Sequence, residues 1–98
     1  MTKQTYQEVS KVILEELVKN PVVFKGLEHH QYFYDLKIKY PKRYERLIFD
    51  TNGSEPYCKD LANIFMDFKI CGFMDYNNTP LLEPIKKYLN SKKKKLSQ

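Results

Sequence analysis

The sequence predicts a mainly α (α+β) fold of four to five helices with a short β-hairpin, built as one domain over residues 1–90 with a basic flexible tail at 91–98. Three observations carry that expectation. Apolar residues recur at helical spacing in separate stretches, Pro and Gly stand where those stretches stop, and 98 residues allow one hydrophobic core, too few to divide between two. Eight Tyr and six Phe exceed what disordered chains carry, so large rings are expected to fill that core.

Thr5 followed by Glu8 has the spacing of a capping box, which places the start of the first helix there. Tyr6, Val9, Val12, Ile13 and Leu17 form its apolar stripe, widened by Leu14 and Val18, until Asn20-Pro21 ends it. Val22-Val23-Phe24 fits a short strand or an extended linker, and Gly26 breaks the chain before a second helix. That helix runs from Leu27 to about Lys39 on Leu27, His30, Tyr34 and Ile38, with Phe33 alongside, and stops at Tyr40-Pro41.

Residues 42–50 read as a short helix opened by Pro41 or, over Leu47-Ile48-Phe49, as a strand. Asp50-Thr51-Asn52-Gly53 is a turn in which Asn-Gly supplies positive φ. Ser54 is then the N-cap and Pro56 a first-turn residue of a third helix over about 55–71. Its buried stripe is Cys58, Leu61, Ile64, Phe65 and Phe68, and Gly72 is its left-handed terminator. Phe73-Met74-Asp75-Tyr76 alternates as a short strand does, Asn77-Asn78 turns, and Thr79-Pro80 opens a last helix through Leu82, Ile85 and Leu89.

Composition narrows the function classes. No apolar run approaches the roughly 20 residues that cross a bilayer, and the start lacks a signal-peptide core, so no membrane span and a cytoplasmic location are expected. Cys58 and Cys71 are expected as free thiols on the apolar side of one helix, roughly 20 Å apart and inert. His29 and His30 diverge by about 100° on a helix and cannot share a metal as an i, i+4 pair does; His30 should pack and His29 face solvent. No nucleophile elbow, phosphate loop or paired-carboxylate pattern is present, so neither catalysis nor a cofactor is expected.

From Gly53-Ser54-Glu55-Pro56-Tyr57-Cys58-Lys59-Asp60-Leu61 through Phe68 to Cys71-Gly72-Phe73-Met74, the string resembles small winged helix-turn-helix proteins of prokaryotes, archaea and their mobile elements. Phe24-Lys25-Gly26-Leu27 and Tyr32-Phe33-Tyr34 are similar to the preceding loop and second helix of that group, so the resemblance covers about residues 12–76. It implies a β-hairpin wing and binding of duplex DNA by a homodimer, formed through the first and last helices, that regulates transcription or serves a mobile element. The exposed face of the third helix departs from the pattern, because Asp60 and Asp67 accompany Tyr57, Lys59, Asn63 and Lys69 and would repel phosphate.

Charge points to a second contact segment. Lys37, Lys39, Lys42, Arg43 and Arg46 interleave with Tyr40 and Tyr44, a pattern that can hold phosphates and stack bases or can be a solvated face over structural rings. Residues 84–98 add six lysines and no acid, whereas residues 50–83 set Lys59 and Lys69 against six acids. The alternative reading is an interaction module that holds a protein partner on the acidic, aromatic surface around Tyr57, Asp60, Asp67 and Tyr76.

Overall fold

Four helices are the regular elements among the described residues: α1 (Lys3–Lys19), α2 (Glu28–Lys39), α3 (Lys59–Cys71) and α4 (Leu82–Leu96). The computed structural model describes the backbone of residues 2–96 and the side chains of residues 2–91. Within these bounds there is no strand or sheet, only the isolated antiparallel bridges Asp50–Tyr57 and Met74–Pro80. The expected mainly α character stands; the β-hairpin wing, and with it the winged helix-turn-helix, does not.

The wing fails for local reasons. Residues 73–81 do fold back, with Leu81 N–H donating to Phe73 O at 2.9 Å and Asp75 N–H to Thr79 O at 3.0 Å. The return then closes on Asp75, whose carboxylate accepts from Asn77 N–H and Thr79 N–H. Pro80 has no N–H to extend a ladder, and Met74 is buried in the core rather than carried outward on a ribbon.

α1 starts one turn earlier than Thr5 and Glu8 suggest. Thr2 is its N-cap, accepting from Thr5 N–H at 3.1 Å, and it provides the hydroxyl role assigned to Thr5. Asn20 closes the helix by donating from its backbone to Glu16 O at 2.8 Å, and Pro21 follows. Val9, Ile13, Leu14 and Leu17 are buried as expected, and the stripe also takes Glu16 inside.

α2 is rotated relative to the expected stripe. Leu27 and Ile38 are exposed, while His29, His30 and Phe33 are buried, so His29 faces the core and not solvent. The cause is an aromatic cluster: Phe24, on the irregular linker before α2, lies within 6.4 Å of the rings of His29, Tyr32, Phe33 and Phe65. Offset and edge-to-face ring contacts outweigh the aliphatic spacing on this helix.

Residues 41–46 form turns and 47–49 are irregular up to the Asp50–Tyr57 bridge, so the segment is neither helix nor strand. Tyr44 and Leu47 anchor it in the core. The 50–53 turn contains no positive φ, contrary to the Asn-Gly expectation; Gly26, Gly72 and Asn78 carry the left-handed conformations of the described residues.

The N-cap of α3 is Cys58 and not Ser54, so Pro56 precedes the helix instead of lying in its first turn. Leu61, Ile64, Phe65 and Phe68 are buried as the periodicity predicts. Gly72 ends the helix at φ +82°, with Phe73 N–H reaching back to Phe68 O at 2.8 Å. α4 begins at Leu82, two residues after Pro80, and its helical backbone runs through residues 91–96 that the composition assigns to a tail. The side chains of Lys92 to Lys95, and residues 97–98 altogether, lie outside the described residues. α1 packs along α4, and Ile85 is fully buried there. Val9, Ile13, Leu14 and Leu17 of α1 and Ile85 of α4 thus belong to one core within the chain.

Candidate binding surfaces

The basic segment does not act as one patch. Lys37 donates from Nζ to Leu47 O at 2.6 Å and so ties α2 to the turn that follows it. Lys39 lies over the Tyr40 ring at 5.4 Å, and Arg43 lies over Tyr44 at 6.0 Å while pairing with Glu15 of α1 at 3.6 Å. That pair is half exposed and worth under about 1 kcal/mol, yet it occupies the guanidinium. Lys42 and Arg46 are exposed and have no partner among the described residues. Arg46 borders a groove of about 640 Å³ with Thr2, Thr5, Glu45, Ile48 and Asp60, so an acid of α3 shares its surroundings.

α3 sorts its polar residues by flank. With successive residues turned by 100°, Lys59, Asn63, Met66 and Ile70 lie opposite the buried Leu61, Ile64, Phe65 and Phe68. Asp60 and Asp67 lie on the flank toward α1, where Tyr6 Oη donates to Asp67. Burial first, and then that bond and the charge of Asp67, hold the Tyr6 phenol well above its usual range. The first turn of α1 has no acid of its own, and Asp60 beside Thr2 and Thr5 complements the positive end of that helix. Lys69 lies on the other flank, toward His29.

Of the residues the sequence nominates on α3, Lys59 and Asn63 therefore share the outward face. Tyr57 instead stacks on His30 at 4.6 Å, and Lys69 is half-buried. Charge does not single out Met66 and Ile70, although they are 54% and 76% exposed. The helical period that finds the core stripe also places both residues on its opposite side. Leaving large apolar groups there is a signal that attention to charge passes over.

His29 and His30 form the middle of a column of four rings, Phe65–His29–His30–Tyr57, with centroid spacings of 4.4, 4.2 and 4.6 Å. His30 Nδ1 accepts the Cys58 backbone N–H at 3.0 Å, which fixes its proton on Nε2. Neither His30 Nε2 nor His29 Nδ1, both buried, has a partner among the described residues. Burial, then the neighbouring His30 and Lys69, push the His29 pKa down to about 4, and burial lowers that of His30. Both imidazoles are neutral near pH 7.

No group of three or more His, Cys, Asp or Glu side chains converges to hold a metal among the described residues. Burial raises the Cys58 thiol above its ordinary value, while Cys71 is exposed at the end of α3, contrary to its expected place on the apolar side. No helix of the described residues is long and apolar enough to cross a membrane. Comparison with protein-family models, with curated proteins and with solved structures finds no match to this chain.

Proposed function

We propose that the chain is a non-catalytic binding domain that holds a protein partner on the outward face of α3. The observation that carries the reading is the pair Met66 and Ile70, one turn apart, leaving large apolar side chains in water on a helix whose other side is fully packed. A partner segment laid along that stripe would remove apolar area from water at about 25 cal/mol per Å², with Lys59 and Asn63 as a polar rim. Met side chains adapt to irregular partner surfaces, which suits this role. Two free thiols fit a reducing compartment such as the cytoplasm.

The test is crosslinking in the source cell, followed by titration of the purified partner against wild type, Met66→Lys and Ile70→Lys. Both substitutions face solvent, so circular dichroism and melting should be unchanged while affinity falls at least about tenfold. Equal affinity in all three proteins would refute the reading.

A second reading is favoured by Lys42 and Arg46, the cations of the basic segment without a partner among the described residues. Under it, duplex DNA is held through its phosphates by these two residues and the α4 lysines, with α3 taking no part in base readout. Mobility shift at two salt concentrations checks it: retardation should weaken as salt rises and vanish in the Lys42→Glu, Arg46→Glu double variant. A folded chain that retards no duplex at low salt excludes it.

A further inference from the structure

Asn52 and Gly53 are both exposed in the bend that joins the Asp50–Tyr57 bridge to the approach of α3. The Asn52 backbone is held by its own N–H donating to the Asp50 carboxylate at 2.9 Å, whereas no described group accepts the Gly53 N–H. Glycine also has no Cβ to shield that nitrogen, and the nearest atom a Cβ would meet is Glu55 O at 3.9 Å. An accessible amide nitrogen therefore adjoins an exposed side-chain amide on a positioned backbone.

We propose that Asn52 is a site of spontaneous covalent modification. The Gly53 nitrogen attacks Cγ of Asn52; the N–Cγ bond forms, the Cγ–Nδ2 bond breaks, and ammonia leaves with the proton from Gly53. Water then opens the five-membered succinimide at either carbonyl, leaving aspartate or isoaspartate at position 52. The net exchange is water for ammonia, with no other reactant.

The other asparagines lack a free following N–H. Asn20 precedes Pro21, which has none. Asn63 and Asn90 lie in α3 and α4, where the next N–H joins the helical ladder. After Asn77, the Asn78 N–H donates to Asp75 O at 3.1 Å, and after Asn78, the Thr79 N–H donates to the Asp75 carboxylate at 3.0 Å.

The product changes the loop that seats Tyr57. A negative charge appears in an already acidic segment, and isoaspartate adds a methylene to the main chain between Asp50 and Tyr57. Both residues are held by short bridge bonds of 2.7 and 2.9 Å, and Tyr57 stacks on His30. The modification is a slow, one-way loosening of the approach to α3.

Incubating the full chain in warm, mildly alkaline buffer and mapping peptides for isoaspartate tests this. The label is expected at position 52 ahead of every other asparagine, with faster exchange of the Asp50 and Tyr57 amides in the modified fraction. Asn52→Gln should abolish the label, and Gly53→Ala, whose backbone has no positive φ and whose Cβ would make only ordinary van der Waals contact with Glu55 O at 3.9 Å, should reduce it in a normally folded chain. Earlier labelling of another asparagine, or an Asn52 that stays intact while a free peptide of residues 49–56 reacts, would overturn the proposal.

Discussion

His30 Nδ1 accepts the backbone N–H of Cys58 at 3.0 Å, so a side chain of α2 fixes the point at which α3 begins. The N-cap itself is weak: Cys58 offers a thiol to Leu61 N–H at 3.4 Å, where a hydroxyl or carboxylate would ordinarily stand. His30→Phe keeps a ring against Tyr57 and removes the acceptor, leaving a buried N–H without a partner. A loss of about 1–3 kcal/mol in urea unfolding is expected, with faster exchange of the Cys58 amide. Unchanged exchange would show that the bond does not position the helix.

The same column gives the fold a pH dependence of defined sign. His29 titrates near the usual 6.5 when unfolded and at about 4 when folded, so below 6.5 the unfolded chain binds the proton more readily. Stability from His29 is fully present above pH 6.5 and is lost as pH falls toward 4, at up to about 1.4 kcal/mol per pH unit. The lowered His30 pKa acts in the same direction. Urea midpoints from pH 7 down to 4.5 measure it, and His29→Phe should flatten the slope against wild type. An equal slope in both proteins would place the acid sensitivity elsewhere.

The sequence exposes what local physics controls. The core stripe of α3 and its end at Gly72 are legible because period and backbone chirality act within one helix. The start of α3 is not legible, because Ser54 is the better cap by itself and the deciding contact comes from His30, 28 positions away. The face of α2 is hidden for a related reason: Phe24 draws His29, Tyr32 and Phe33 inward and leaves Leu27 and Ile38 in water. Among the candidate cations, charge identifies Lys37 and Arg43, but only the fold shows them bound to Leu47 O and Glu15.

Gly72 and Gly53 make a matched pair of substitutions. Gly72 holds φ +82°, which side chains with a Cβ adopt only under strain, while Gly53 has no positive φ. Alanine at 72 should cost about 1–2 kcal/mol, and alanine at 53 should be neutral or slightly stabilising through a stiffer unfolded chain. Thermal melting of the two variants beside wild type reads the difference. Equal midpoints would mean that α3 does not depend on its left-handed end.

The Glu16 carboxylate, buried on α1, accepts from Tyr32 Oη at 2.6 Å and from Asn20 Nδ2 at 2.8 Å through the same oxygen, Oε2. One acceptor thus joins the end of α1 to the middle of α2. Burial and the bond to Glu16 hold the Tyr32 phenol well above its usual range. Tyr32→Phe removes a hydrogen bond to a charged group and should cost about 1.5–3 kcal/mol. Asn20→Ala should cost less, because Pro21 already stops the helix and Asn20 is exposed. Since both donors serve one oxygen, the double variant should be destabilised by more than the sum, each single change leaving the carboxylate one remaining partner and the pair leaving it none. A double-mutant cycle by urea denaturation measures that coupling, and additivity within about 0.3–0.5 kcal/mol would show that water replaces the lost donors and that Glu16 is not the tie between α1 and α2.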